Sequence, residues 1–235
     1  MSTVQQSPDA TANRNPAIVR IIVPIILRGV WYDEYVRLRR NESNDHLRMT
    51  YHDGTLELMS PEFIHEGLTH RLGRLVTFVA DELGISYEAS RSTTIHRGEK
   101  GKKKGNGKEP DESFYFANMD RIVGNKAINL DVDPPPDLWI EVDNRSSSRG
   151  RLPVYAALGV PEVWRYNARR RRLWFGRLTE GGTYESIDHS LSLPMLTHAL
   201  VIEALTLGQG LSESAWIRLL SDWVRAKLLP PSQGV

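Results

Sequence analysis

The chain has 235 residues, 40% of them hydrophobic, and a formal net charge of +1 at neutral pH. That is enough to bury one sizeable core, and it excludes the strongly basic balance by which a whole domain binds nucleic acid through bulk electrostatics. Cysteine is absent, which excludes disulfides, thiolate zinc sites and a cysteine nucleophile.

The polar start, residues 1–16, lacks the charged-then-apolar order of a secretory signal and predicts a loose tail on a cytoplasmic protein. The run from Val19 to Leu27 is far too short for a membrane span and reads as a strand or docking segment. From Gly29 to Asn41, Trp31, Tyr35 and Leu38 recur at helical spacing. Leu47–Tyr51 and Thr55–Met59 flank His52-Asp53-Gly54, and an Asp-Gly step between apolar runs is a strong hairpin signal.

Ser60, Pro61 and Glu62 suit a helix start. Leu68, Leu72, Leu75, Val79 and Leu83 form one stripe, ended by Gly84. One step back along that stripe, His65 faces the core at the helix N-terminus and Glu66 points about 100° away. Strand-like alternation follows over Ser86–Ser90 and Arg91–His96. The Gly/Lys-rich stretch from Gly98 to Lys108 has almost nothing to bury and predicts a mobile loop. Its Lys102, Lys103, Lys104 and Lys108 are either a solvated charge run or a set of phosphate contacts.

Asp111 opens a strand through Phe114, Tyr115 and Phe116, and residues from Asn118 to Leu130 read as a turn with a short element of open type. Three prolines, Pro134 to Pro136, then precede Leu138, Trp139, Ile140 and Val142, a dense apolar run of strand formers. Glu141 is the anomaly in that run. A carboxylate in a strand buried on both faces costs several kcal/mol unless something positive compensates it, and a metal ion is one such partner. Asp137 lies four residues away, roughly 13 Å along a strand, so the second acid must come from elsewhere, and Asp111 is the best donor.

Ser146 to Gly159 holds a helix ended by that glycine, and Val160 to Tyr166 is the next strand. The two strands are expected to pair in parallel through a right-handed crossover. Asn167–Arg171 is a polar turn with its return strand at Leu173–Leu178, and Leu200–Leu229 forms a helix that caps the sheet or meets a partner.

The blocks EPDESFYF, PPPDLWIEV and LPVYAALGVPEVWRY resemble the Uma-type putative restriction endonuclease family, a branch of the PD-(D/E)xK nucleases, over residues 28–200. The resemblance implies an α/β (α+β) fold: a restriction-endonuclease-like mixed sheet flanked by helices, with an extra C-terminal helix. The expected organisation is a tail over 1–16, a nuclease-like domain over 17–200 and a helical extension over 201–235. It also implies a metal site of Asp111, Glu141 and the Val142 carbonyl. Two carboxylates suit Mg²⁺, or Mn²⁺ in its place, better than Zn²⁺.

The superfamily pattern expects a lysine two residues beyond the second acid, where this chain has Asp143. The resemblance moves the positive charge to the following helix, at Arg151, with Arg149 and Arg145 nearby. Arginine binds phosphate but cannot act as a general base, which leaves water activation to the metal or to His65, with Glu66 as an accessory. Ser146, Ser147 and Ser148 either bind phosphate at a helix N-terminus or cap the helix. The leading expectation is a metal-dependent endonuclease on DNA, with RNA and a homodimer both allowed and no membrane partner. The alternative is a nuclease-like fold that binds nucleic acid or a protein without cutting; a hydrolase of small phosphate esters is a third.

Overall fold

The computed structural model describes residues 24–60, 63–125, 127–144 and 147–229, and the side chains of residues 63–66 lie outside that description. The expected tail over 1–16 and the start of the Val19–Leu27 run also lie outside the described residues. Two sheets and five α-helices make up a mixed α+β architecture.

The first sheet grows from the Asp-Gly turn. Strands β2 (Arg48–His52) and β3 (Thr55–Met59) pair antiparallel, with Asp53 and Gly54 at φ 39° and 88°. That is the left-handed backbone a two-residue hairpin requires. Strand β1 (Ile25–Arg28) adds to β3, and helix α1 (Tyr32–Arg39) lies over the sheet with Tyr32 and Tyr35 buried.

Two further strands, β5 (Ile95–Gly98) and β6 (Gly105–Lys108), complete the order β1-β3-β2-β6-β5. The stretch expected as a mobile loop is therefore a hairpin. Its glycines sit where aromatic rings cover the backbone: a Cβ on Gly98 or Gly105 would meet the Tyr32 ring, and one on Gly107 the Tyr35 ring. Only residues 99–104 remain as the connecting turn.

The second sheet has the order β11-β10-β9-β8-β7-β4. Its strands are β4 (Glu88–Ala89), β7 (Glu112–Tyr115), β8 (Leu138–Asp143), β9 (Glu162–Asn167), β10 (Arg172–Leu178) and β11 (Tyr184–Ile187). Every residue of β8 is buried, Glu141 and Asp143 among them, as in a strand covered on both faces. β8 and β9 pair in parallel, Glu141 opposite Arg165, joined through helix α3 (Leu152–Leu158). Gly159 ends that helix at φ 80°, a conformation glycine adopts without a Cβ penalty.

Alternation along β8 divides the core. Leu138, Ile140 and Val142 face helix α2 (Phe63–Glu82), while Trp139 packs with Val154, Tyr155 and Leu158 of α3. The single C-terminal helix expected from the sequence is two, α4 (His198–Thr206) and α5 (Glu213–Lys227). Gly208 and Gly210 turn the chain between them at φ 55° and 89°. Val201, Ala204, Trp216 and Leu220 join the same core as α2 and β8, and the boundary expected at residue 200 falls inside α4. Among the described residues no helix is long and apolar enough to cross a membrane.

Candidate active site

The chain passes from one sheet to the other through three residues. β6 ends at Lys108 in the first sheet, β7 begins at Glu112 in the second, and Glu109, Pro110 and Asp111 between them are buried. The last β7–β8 pair is Glu112 opposite Ile140, so the next outward-facing N–H of β8, that of Val142, has no strand partner on this side. Asp111 takes that place: its Oδ2 accepts the Val142 N–H at 2.7 Å. A backbone bond of this kind fixes the carboxylate at the strand end, where open sheets place their chemistry.

Glu141 sits on the opposite face of β8 from Val142 and is 3% exposed. Its Oε1 accepts the Trp139 Nε1–H at 2.6 Å and lies 3.0 Å from the Lys108 ammonium. Lys108, itself buried, also donates to the Glu109 carbonyl at 2.8 Å. Burial pushes the Glu141 carboxyl above its ordinary range; the Lys108 charge opposes that shift, the Asp111 charge reinforces it, and Arg151 and the Trp139 bond lower it. Asp111 thus bonds the backbone of the residue next to Glu141, and its charge is among those that act on the Glu141 carboxyl.

Beside them the Tyr155 hydroxyl is buried with no hydrogen-bond partner among the described residues. Burial raises its pKa well above the ordinary value, and Glu141, Asp111 and Asp143 reinforce that while Arg151 opposes it. A buried hydroxyl of this kind needs a partner.

Arg151 follows a different course from the one expected. Its Nε donates to Glu57 Oε2 at 3.3 Å and its Nη2 to Glu57 Oε1, and Nη2 also lies 3.4 Å from Met59 Sδ. The guanidinium is therefore committed to β3 of the first sheet, and only its field reaches Glu141.

Asp143, at the position where the superfamily pattern has lysine, is a structural anchor. Its Oδ1 accepts the Ser148 N–H at 2.6 Å and its Oδ2 receives Arg165 Nη2 at 2.7 Å. Arg165 Nε also donates to Ser148 Oγ at 2.7 Å. Ser148 is thus spent on holding the short 3-10 turn Ser148–Arg151 that leads into α3, not presented to a phosphate. Ser147 caps that turn by accepting the Arg149 N–H at 3.2 Å, and Arg149 is exposed. Arg145 and Ser146 lie outside the described residues.

The lysines divide into two kinds. Lys102 and Lys104 are exposed and reach Glu99 at 2.6 and 3.2 Å, and the Lys103 ammonium stands 5.4 Å over the Trp31 ring. Lys108, grouped with them by composition, is instead buried against Glu141. The period-two pattern Gly105-Asn106-Gly107-Lys108 running into Pro110-Asp111 was the available signal that Lys108 belongs to a strand entering the site. Arg165, an arginine inside the apolar run of β9, was another. The side chains of His65 and Glu66, expected as accessories, lie outside the described residues. Among the described residues no three His, Asp or Glu side chains gather as a ready-made metal site.

A mixed sheet whose buried central strand carries an acid, with a second acid where the neighbouring strand begins, is the arrangement that the sequence resemblance implies. A family model described as Uma2, putative restriction endonuclease, matches residues 32–210, and the chain belongs to that family. Among solved structures it is similar to a putative nuclease belonging to DUF820 from Anabaena variabilis, with 16% identity and a TM-score of 0.47 over 83% of this chain and 99% of that one. No curated protein matches it.

Proposed function

We propose that the protein is a metal-dependent endonuclease acting on DNA, with Asp111 and Glu141 as its acidic pair. The observation that carries this reading is that two buried acids meet neighbouring residues of β8: Asp111 accepts the Val142 N–H at 2.7 Å, and Glu141 is the residue before it. Burying both is costly, and a site for a cation justifies the cost.

The residues present fit a hard divalent ion. Mg²⁺ is commonly held by one or two carboxylates with waters filling the remaining positions, and here Asp111, Glu141 and the Val142 carbonyl would supply the protein oxygens. The unpartnered Tyr155 hydroxyl beside them is suited to a water of that shell. Such an ion supplies Lewis-acid stabilisation of negative charge on a phosphoryl group.

The chain's own residues do the rest. The Val142 N–H holds Asp111 in place, Trp139 orients Glu141, and α3 packed on Trp139 closes the apolar side of the site, with ring centroids of Trp139 and Tyr155 5.2 Å apart. Lys102, Lys103 and Lys104 on the exposed turn would meet the phosphate backbone, where lysines gain affinity by releasing counterions.

A second reading, binding without cutting, draws on the Lys108–Glu141 pair, which already compensates the buried acid. One experiment separates them. The protein is incubated with plasmid, single-stranded DNA and RNA in Mg²⁺, Mn²⁺ and EDTA, beside Asp111→Asn and Glu141→Gln. Cutting of DNA that needs the metal and vanishes in both variants supports the nuclease. Intact DNA with retained, salt-sensitive binding supports the second reading.

A further inference from the structure

Lys108 is held by its backbone at the end of β6, between β2 and β5 of the first sheet, opposite Thr50 on one side and Ile95 on the other. Its side chain leaves that sheet and ends 3.0 Å from Glu141 in the second. Both side chains are nearly dry, 7% and 4% exposed. An ammonium and a divalent cation drawn to the same acid repel one another strongly in such surroundings.

Among the described residues the guanidinium groups nearby are held by other acids, Arg39 and Arg48 by Glu109. Arg165 is bound to Asp143 and Ser148, and Arg151 to both oxygens of Glu57. Lys108 differs from them in two respects: it touches the acid of the site itself, and its charge sits on a flexible four-carbon stem with three rotatable donors. Among the described residues it also donates to a backbone carbonyl, that of Glu109, which a modest swing of the stem can keep or release.

Building on the nuclease reading, we infer that Lys108 is the phosphate-directed lysine of this site: it holds Glu141 before a divalent cation binds the acidic pair, then leaves Glu141 for the phosphate backbone of the substrate. The charge that the superfamily places two residues beyond the second acid thus reaches the site from β6 of the other sheet. Glu141 is never left uncompensated, since one cation replaces another.

Two measurements test this on the full chain. In the first, the wild-type protein is treated with a limiting acylating reagent in EDTA or in Mg²⁺, and each lysine is followed by mass spectrometry. Lys108 should be protected in EDTA and several-fold more reactive in Mg²⁺, with Lys102 and Lys104 unchanged. In the second, Mn²⁺ is titrated into wild type and Lys108→Met without DNA. The variant should bind the ion about tenfold more tightly, because a repelling charge is gone, while its cutting of DNA falls sharply.

A wild type that binds metal and cuts DNA with Lys108 equally protected in both conditions overturns the inference alone. So does a folded Lys108→Met that binds Mn²⁺ no tighter or cuts undiminished. If the variant does not fold, the labelling of wild type decides. A wild type that binds no metal and cuts nothing overturns the nuclease reading, and this inference with it.

Discussion

Arg165→Met should cost the protein about 3 kcal/mol of stability. The guanidinium donates to Asp143 Oδ2 at 2.7 Å, to Ser148 Oγ at 2.7 Å and to Ser147 Oγ at 2.9 Å. The Arg165 and Asp143 side chains are 14% and 6% exposed, so methionine leaves a carboxylate buried without its counter-charge. Breaking a buried pair from one side costs about 3–5 kcal/mol. The lower end applies because Asp143 keeps the Ser148 N–H at 2.6 Å. In a protein of this size that loss lowers Tm by about 6–12 °C.

Arg165→Met combined with Asp143→Asn should recover most of it, because asparagine still accepts the Ser148 N–H and carries no charge. The coupling energy should be about 2 kcal/mol. Arg177 and Glu185, paired at the surface with 52% and 47% exposure, provide the control: Arg177→Met should change stability by about 1 kcal/mol at most. Urea unfolding followed by tryptophan fluorescence measures wild type, these three variants and the single Asp143→Asn that closes the cycle. A loss below about 1 kcal/mol for Arg165→Met, or a double variant whose losses simply add, refutes the reasoning.

Gly107→Ala should destabilise the fold by about 1–3 kcal/mol, the usual cost of overpacking, because the new methyl meets the buried Tyr35 ring; an unchanged urea midpoint would restore the mobile loop. Replacing Lys102, Lys103 and Lys104 together by alanine should leave stability unaltered yet flatten the salt dependence of DNA binding by about 2–3 in slope, read by fluorescence anisotropy at several salt concentrations. Burial lowers the pKa of both His96 and His198 from 6.5. As pH falls below 6.5 the unfolded chain therefore takes up these protons first, and stability present above that pH is lost as it drops through the folded values. Tm should fall between pH 7.5 and pH 5.5, and less so in His198→Gln, whose amide oxygen can still accept the Phe175 N–H that His198 Nε2 accepts at 3.1 Å; equal slopes for the two proteins would count against it.

Where side-chain periodicity and turn chemistry agree, the sequence is a sufficient guide. The Asp53-Gly54 hairpin, the α2 stripe, the continuous apolar run of β8 and the glycine that ends α3 are all local signals, and each element forms where it was expected. That Glu141 lies buried in β8 beside a positive charge was legible for a related reason: an acid amid buried strand residues has to be compensated.

What the sequence hid was set by contacts across the fold. Glycine ordinarily marks freedom, but in β5 and β6 it marks the approach of Tyr32 and Tyr35, more than 60 residues upstream. Lys108 looked like one more member of a solvated run because its partner lies 33 positions on, in another sheet. Arg151 looked available because Glu57, which binds it, lies 94 positions before it. The division of the C-terminal helix turned on Gly208 and Gly210, whose left-handed backbone outweighs the leucine-rich pattern around them.

Among the described residues no backbone ladder joins the two sheets, yet the charged groups are drawn from both. Lys108 and Glu57 belong to one and Glu141 to the other, Asp111 lies on the connection between them, and Arg151 of the turn before α3 reaches across to Glu57. The spacing between these charges is consequently set by side-chain packing along a seam. A substitution far from the acids, such as one that shifts Tyr35 over Gly107, can change their separation while every strand keeps its register.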